Sequence, residues 1–183
     1  MANYLYCTWA HRTALPSDLR ARFRDLDEFV RVLAASATSR LLVVSPYLSP
    51  GGMASLRSAI AVSAQKGAWI RLITSDLNNS HSANRRSVSV LLDGSDGVLI
   101  RPRLRLLAVS ESLTELVHAK CMVVDGIRGY LGSANLSISG LEKNFELGVA
   151  LGEEEAAALD HLISYFEANG DLEDRTSMII NDH

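Results

Sequence analysis

Lysine is nearly absent from this chain. It occurs at Lys66, Lys120 and Lys143, and the other fifteen cations among 183 residues are arginine. A lysine inside any motif therefore stands out. Cysteine is equally scarce. Cys7 and Cys121 are too few for a disulfide framework, and they read as reduced thiols with at least one in the core. No apolar run approaches the roughly 18 residues a membrane span needs. The start, MANYLYCTWAHR, lacks a basic stretch followed by an apolar one. These absences predict a cytoplasmic chain with no membrane partner. Positive charge is not in excess, since the formal net charge is −3 and the pI is about 5.9. That excludes a general electrostatic glove for nucleic acid and requires any anion to be held by a local patch. Repeats and linkers are also missing. With 48% hydrophobic and 21% charged residues, the chain reads as one domain over 1–183, with a loose tail from about 170.

Strand and helix signals alternate through the first half. Ser17 and Asp18 open a helical pattern continued by Leu19, Phe23, Leu26, Val30 and Leu33. Leu42-Val43-Val44 reads as a buried strand closed by Pro46, Pro50-Gly51-Gly52 as a loop, and 53–66 as a helix. Trp69 to Thr74 is a strand, about 84–92 a helix, and 97–107 one or two strands. Leu116–Val124, Ile127–Leu131 and Phe145–Leu151 are further strands, followed by a helix from Glu153 to Ala168. The pattern predicts an α/β fold, a mixed β-sheet flanked by helices on both faces.

The chemistry concentrates in VHAKCMVVDGIRGYLGSANLSISGLEKNFE, residues 117–146. Asp125-Gly126 is a two-residue hairpin signal between β-rich runs. Alternation puts His118 and Lys120 on one strand face, and Ser133 and Asn135 on one face of the returning strand. A two-residue loop pairs even positions with odd ones, so all four groups would project together. Around a phosphate, the ammonium offsets charge, the hydroxyl and amide complete an oxygen cradle, and the imidazole attacks or donates a proton. Gly132, lacking Cβ, would let a substrate approach the backbone.

The spacing His118, Lys120, Asp125, Gly132, Ser133, Asn135 resembles the HKD signature of the phospholipase D superfamily at every position. Asn144-Phe145-Glu146 is similar to the place where that family sets an acidic residue that orients the histidine. The resemblance implies a phospholipase-D-like fold with one HKD half-site and a metal-free, cofactor-free phosphodiesterase. One histidine forms a phosphohistidine, and another protonates the leaving group and then activates water. His118, Lys120, Ser133, Asn135 and Glu146 carry over as catalytic residues, with Lys120, Ser133 and Asn135 also binding substrate. Asp125 is included below them, because the family's aspartate usually has a structural role and a hairpin-turn residue is the alternative. No other histidine (His11, His81, His161 or His183) is followed by lysine two positions on. Single-motif members complete the site by pairing two chains, which implies a homodimer.

The motif defines a reaction better than a substrate. A small single-motif chain looks like the nuclease branch, with DNA as the partner ahead of RNA. Lipid or another small phosphodiester is an alternative. GSANLSISGLEKNFELGV is similar to phospholipase-D-like proteins of bacterial anti-phage systems, which brings in other defence-system subunits as partners and a non-catalytic nucleic-acid-binding role as a third reading. Arg101, Arg103 and Arg105 share a face of the expected strand, either as a solvated edge or as a phosphate-contacting rim; Arg101 and Arg103 are taken as substrate-binding. Cys121 lies on the face away from His118 and reads as core.

Overall fold

In the computed structural model the described residues are 5–9, 16–113 and 117–180. The expected position of His11 and the ends of the chain lie outside them. Among the described residues nine strands form one mixed sheet: β1 (Leu5–Thr8), β2 (Phe23–Asp25), β3 (Arg40–Val44), β4 (Trp69–Ile73), β5 (Leu104–Val109), β6 (Cys121–Val124), β7 (Arg128–Gly132), β8 (Glu146–Leu151) and β9 (Leu172–Asp174). Their order is β2-β1-β8-β7-β6-β3-β4-β5-β9. β3, β4 and β5 are parallel, whereas β6, β7 and β8 run antiparallel as a meander.

Helices cover both faces, as the sequence pattern predicts. One face packs against α2 (Leu26–Ala35), α3 (Pro50–Gln65), α4 (Ala83–Leu91) and α5 (Gly94–Ile100), with Leu41, Val43, Ile70, Leu72, Leu106 and Met122 in its core. The other packs against α6 (Glu153–Ala168) through Leu42, Val44, Ile73, Leu107, Cys121 and Val123. β3 buries both faces, which explains its continuous apolar run. Among the described residues, no helix is long and apolar enough to cross a membrane.

Several boundaries differ from the sequence pattern. The helix expected from Ser17 onward is interrupted: α1 (Ser17–Arg20) is one turn, and Phe23–Asp25 pairs with β1 instead. Asp25 then starts α2 by accepting from Glu28 N at 3.0 Å, and Leu26, Val30 and Leu33 keep their buried face. Pro50-Gly51-Gly52 is the first turn of α3, not a loop. Ser49 caps it by accepting from Gly52 N, and a Cβ on Gly52 would come 2.5 Å from Leu136 O. Residues 94–100 are helical, capped by Asp93, so only 104–107 of the expected 97–107 β region is strand, and β5 runs on to Val109. The tail is structured through residue 180: β9 pairs with β5, and α7 (Ser177–Ile180) buries Ile179.

Candidate active site

The register brings one end of the sheet together. Val44, at the carboxyl end of β3, faces Cys121 at the start of β6; Gly132, at the end of β7, faces Gly148 of β8; and Thr8, at the end of β1, faces Glu146. Carboxyl ends of parallel strands are where open α/β sheets place ligands. His118 and Lys120 precede β6 rather than lying within it, and Ser133 and Asn135 follow β7.

The hairpin corrects the facing argument. Val124 pairs with Arg128, so the loop has three residues, Asp125, Gly126 and Ile127, and even positions pair with even. Asp125 and Gly126 both have positive φ (55° and 73°), as a type I′ turn requires, and Ile127 is the extra residue that a dipeptide signal does not reveal. Lys120 therefore sits opposite Gly132, whose N–H donates to Lys120 O at 3.1 Å. Ser133 belongs to the other pleat of β7. It joins the site because Ser133 Oγ donates to Glu146 and accepts from Leu147 N at 3.1 Å.

In this cluster His118 is exposed and Lys120 is buried, at 9% exposure for the whole residue. Lys120 Nζ lies 3.1 Å from His118 Nδ1, 3.3 Å from Nε2, and donates to His118 O at 2.7 Å. Burial holds the Lys120 ammonium below the ordinary lysine pKa, and the nearby charge of Glu146 opposes that shift. Asn144 Nδ2 also donates to Glu146, at 3.3 Å. No hydrogen bond joins Glu146 to His118 of the same chain among the described residues. Glu146 instead ties Ser133 and Asn144 beside the buried ammonium.

Asn135 turns its acceptor inward, since Oδ1 is buried without a hydrogen-bond partner. Its segment is pinned to the β3–α3 connection: Leu136 N donates to Ser45 Oγ at 3.0 Å, and Ile138 N donates to Ser49 Oγ at 3.1 Å. Residues Ser139–Lys143 then form a π turn, closed by Asn144 N on Ser139 O.

Three expected participants stand elsewhere. Asp125 is at the opposite end of β6. Its carboxylate accepts from Thr38, Ser39 and Arg40 backbone N–H groups and from the Thr38 and Ser39 hydroxyls. Burial alone would raise its pKa, but these donors hold it well below the usual carboxylate range. Asp125 thus fixes the hairpin to the start of β3, at the end of the sheet away from His118. Arg101 and Arg103 lie in a 3-10 turn before β5, also at the far end of the sheet. Arg101 donates to Leu92 O at 3.1 Å; Arg103 donates to Gly67 O at 2.7 Å and covers Trp69. Their expected substrate-binding role is corrected, because neighbouring backbone carbonyls engage both guanidinium groups away from His118. Arg105 pairs with Glu167 and Asp174.

The sequence pattern missed two tyrosines. Tyr47, 56% exposed, presents its ring edge-on to His118 with centroids 6.4 Å apart. Its only sequence signal is its place just past the end of β3. Tyr130 is buried beneath Gly132 and Gly148, where a Cβ on either glycine would fall 2.2 Å from it. The absent Gly132 side chain therefore makes room for Tyr130, not for a substrate. On the α6 side of the sheet, a cavity of about 580 Å³ opens beside His118, lined by Val44, Ile73, Val117, Phe166 and Leu172.

A buried lysine against an imidazole, at the carboxyl end of a mixed sheet and flanked by serine, asparagine and glutamate, is an arrangement suited to a phosphorylated ligand. Residues 30–169 match the family described as cardiolipin synthase, PLD-like domain, and the chain belongs to that phospholipase-D-like family. It is 27% identical over 128 residues to the probable cardiolipin synthase YwiE of Bacillus subtilis (strain 168), covering 68% of this chain and 23% of that protein. It is likewise 27% identical over 133 residues to cardiolipin synthase A of Proteus mirabilis (strain HI4320), covering 71% and 25%. The chain thus spans about a quarter of the length of these curated relatives. In fold it is similar to Nuc, a phospholipase D family member from Salmonella typhimurium, with a TM-score of 0.61, 16% identity and coverage of 94% and 97%. NucT from Helicobacter pylori gives a TM-score of 0.58, 19% identity and coverage of 91% and 93%.

Proposed function

We propose that this chain is a metal-independent phosphodiesterase, acting as a nuclease on DNA, with one active site shared by two copies. The observation that carries this reading is the His118–Lys120 pair, which occurs once in the chain. Two symmetry-related half-sites supply what one lacks. One His118 attacks phosphorus and displaces the leaving oxygen, which takes a proton from the other His118. The second imidazole then removes a proton from water, which attacks the phosphohistidine and restores both groups. The Lys120 ammonium groups offset charge on the non-bridging oxygens, with Ser133 and Asn135 completing the cradle.

The surface supports pairing. Leu5, Leu131 and Leu147, exposed at 41–45%, lie with Val149 on the face of β1, β7 and β8 that α6 leaves uncovered. On α6, Leu162 and Tyr165 are also exposed. This apolar face adjoins Ser133 and Glu146, so a second copy seated there brings its own half-site alongside.

The deciding experiment incubates the protein and His118→Ala with single- and double-stranded DNA in excess EDTA, with early acid-free quenching to capture phosphohistidine. Cleavage and adduct in the wild type, both absent from the variant, are expected. Metal-dependent cleavage would refute the mechanism, and an active monomer would refute the shared site. A lipid substrate is the second reading, favoured by the apolar cavity beside His118. Turnover of phosphatidylglycerol vesicles without DNA cleavage would select it.

A further inference from the structure

One buried group beneath the half-site has no part in this chemistry. Tyr130 is 2% exposed, and its hydroxyl is buried without a well-formed hydrogen bond, although the Ala134 backbone N–H acts on it. Its position is tightly defined. Gly132 and Gly148 are cross-strand partners, and a Cβ would meet Tyr130 Oη at the first and Cε2 at the second. The ring therefore underlies both glycines, with the hydroxyl below the point where the chain leaves β7 to carry Ser133 and Asn135. Phe29 meets the ring edge-on at 6.4 Å and stacks on Tyr6 at 3.8 Å. Burial pushes the phenol pKa up, and Glu146 pushes it the same way, against the Ala134 N–H. The hydroxyl thus lies under the 132–135 segment, facing the Ala134 N–H from a largely apolar layer.

Packing alone does not account for this. Phenylalanine would fill the same space without a desolvated hydroxyl, and buried unpaired polar groups are normally eliminated. The segment above it holds a buried acceptor with no partner, Asn135 Oδ1. We propose that Tyr130 is a positioning residue: its hydroxyl props the 132–135 segment from below and sets where Ser133 and Asn135 meet the reacting phosphate. It touches no substrate and acts through the segment.

This inference rests on the phosphodiesterase reading, and its test separates the two. Full-length wild type and Tyr130→Phe are compared with bis(p-nitrophenyl) phosphate as substrate, orthovanadate as a mimic of five-coordinate phosphorus, and thermal melting. The expected result is a kcat at least about tenfold lower, KM within twofold, vanadate binding at least about tenfold weaker, and a Tm equal to or above wild type. A variant with wild-type kcat and vanadate affinity and a raised Tm would overturn the proposal, because the hydroxyl would then be mere packing cost. A lowered Tm with activity reduced only by the unfolded fraction would overturn it too. If the wild type turns over no phosphodiester, that reading falls, and vanadate alone decides. Weaker binding by Tyr130→Phe supports positioning; equal affinity, or no binding by the wild type, refutes it.

Discussion

Lys120 Nζ donates to the carbonyl of His118 at 2.7 Å while lying 3.1 Å from the Nδ1 of the same residue. Two residues apart in sequence, they form one unit, in which the buried cation fixes both the backbone and the ring of the exposed imidazole. Lys120→Met keeps the stem and removes the charge. Loss of a preorganised cation predicts turnover reduced about 10²–10³-fold, measured with any competent phosphodiester.

The same residue leaves a signature in stability. The folded pKa of Lys120 is below its unfolded value near 10.5, so the unfolded chain binds more protons in that interval. Stability from this group therefore rises with pH between the two values. Denaturant titrations toward pH 10.5 are expected to show the rise in wild type and a reduced rise in Lys120→Met.

Asp125 behaves oppositely. Its carboxyl pKa is depressed in the fold, so its contribution is present above the unfolded value near 3.8 and lost as pH falls toward the folded one. Asp125→Asn is expected to cost about 2–3 kcal/mol at neutral pH. The variant should also show a weaker loss of stability below pH 4. Its kcat, corrected for folded fraction, should stay within about twofold of wild type.

Gly148→Ala places a methyl 2.2 Å from the Tyr130 ring. Overpacking of this kind costs on the order of 2–3 kcal/mol. For a domain of this size that is about 5–10 °C in Tm, readable by calorimetry.

Leu147→Asp puts a charge on the uncovered sheet face without touching the core. The expected species in sedimentation velocity is a monomer with unchanged circular dichroism and more than about 100-fold lower turnover. A dimer of undiminished activity would show that pairing uses another surface.

The fold was legible where burial is two-sided or strongly periodic. The apolar run of β3, the α6 pattern and the β6–β7 hairpin all read directly from sequence. It was obscure where tertiary contact outweighed local preference. Phe23–Asp25 extends the sheet because β1 is there to pair with it, although the spacing of Phe23 and Leu26 suits a helix. In the site, residue types and spacing marked His118, Lys120, Ser133 and Asn135, yet the reason they cluster was misread. The single residue Ile127 changes the register, and Ser133 is recruited by Glu146 rather than by alternation. The arginines misled because regular i, i+2 spacing mimics a strand; Arg101 and Arg103 instead flank a proline in a 3-10 turn.

β9 carries a practical consequence. Leu172–Asp174 covers the outer side of β5, and Ser110 N donates to Asp171 O just beyond it. A version shortened after α6 would uncover the Leu107–Val109 edge of β5, ready to template against a neighbouring molecule. Such a truncation should precipitate or form open-ended oligomers even though every residue of the HKD motif is retained.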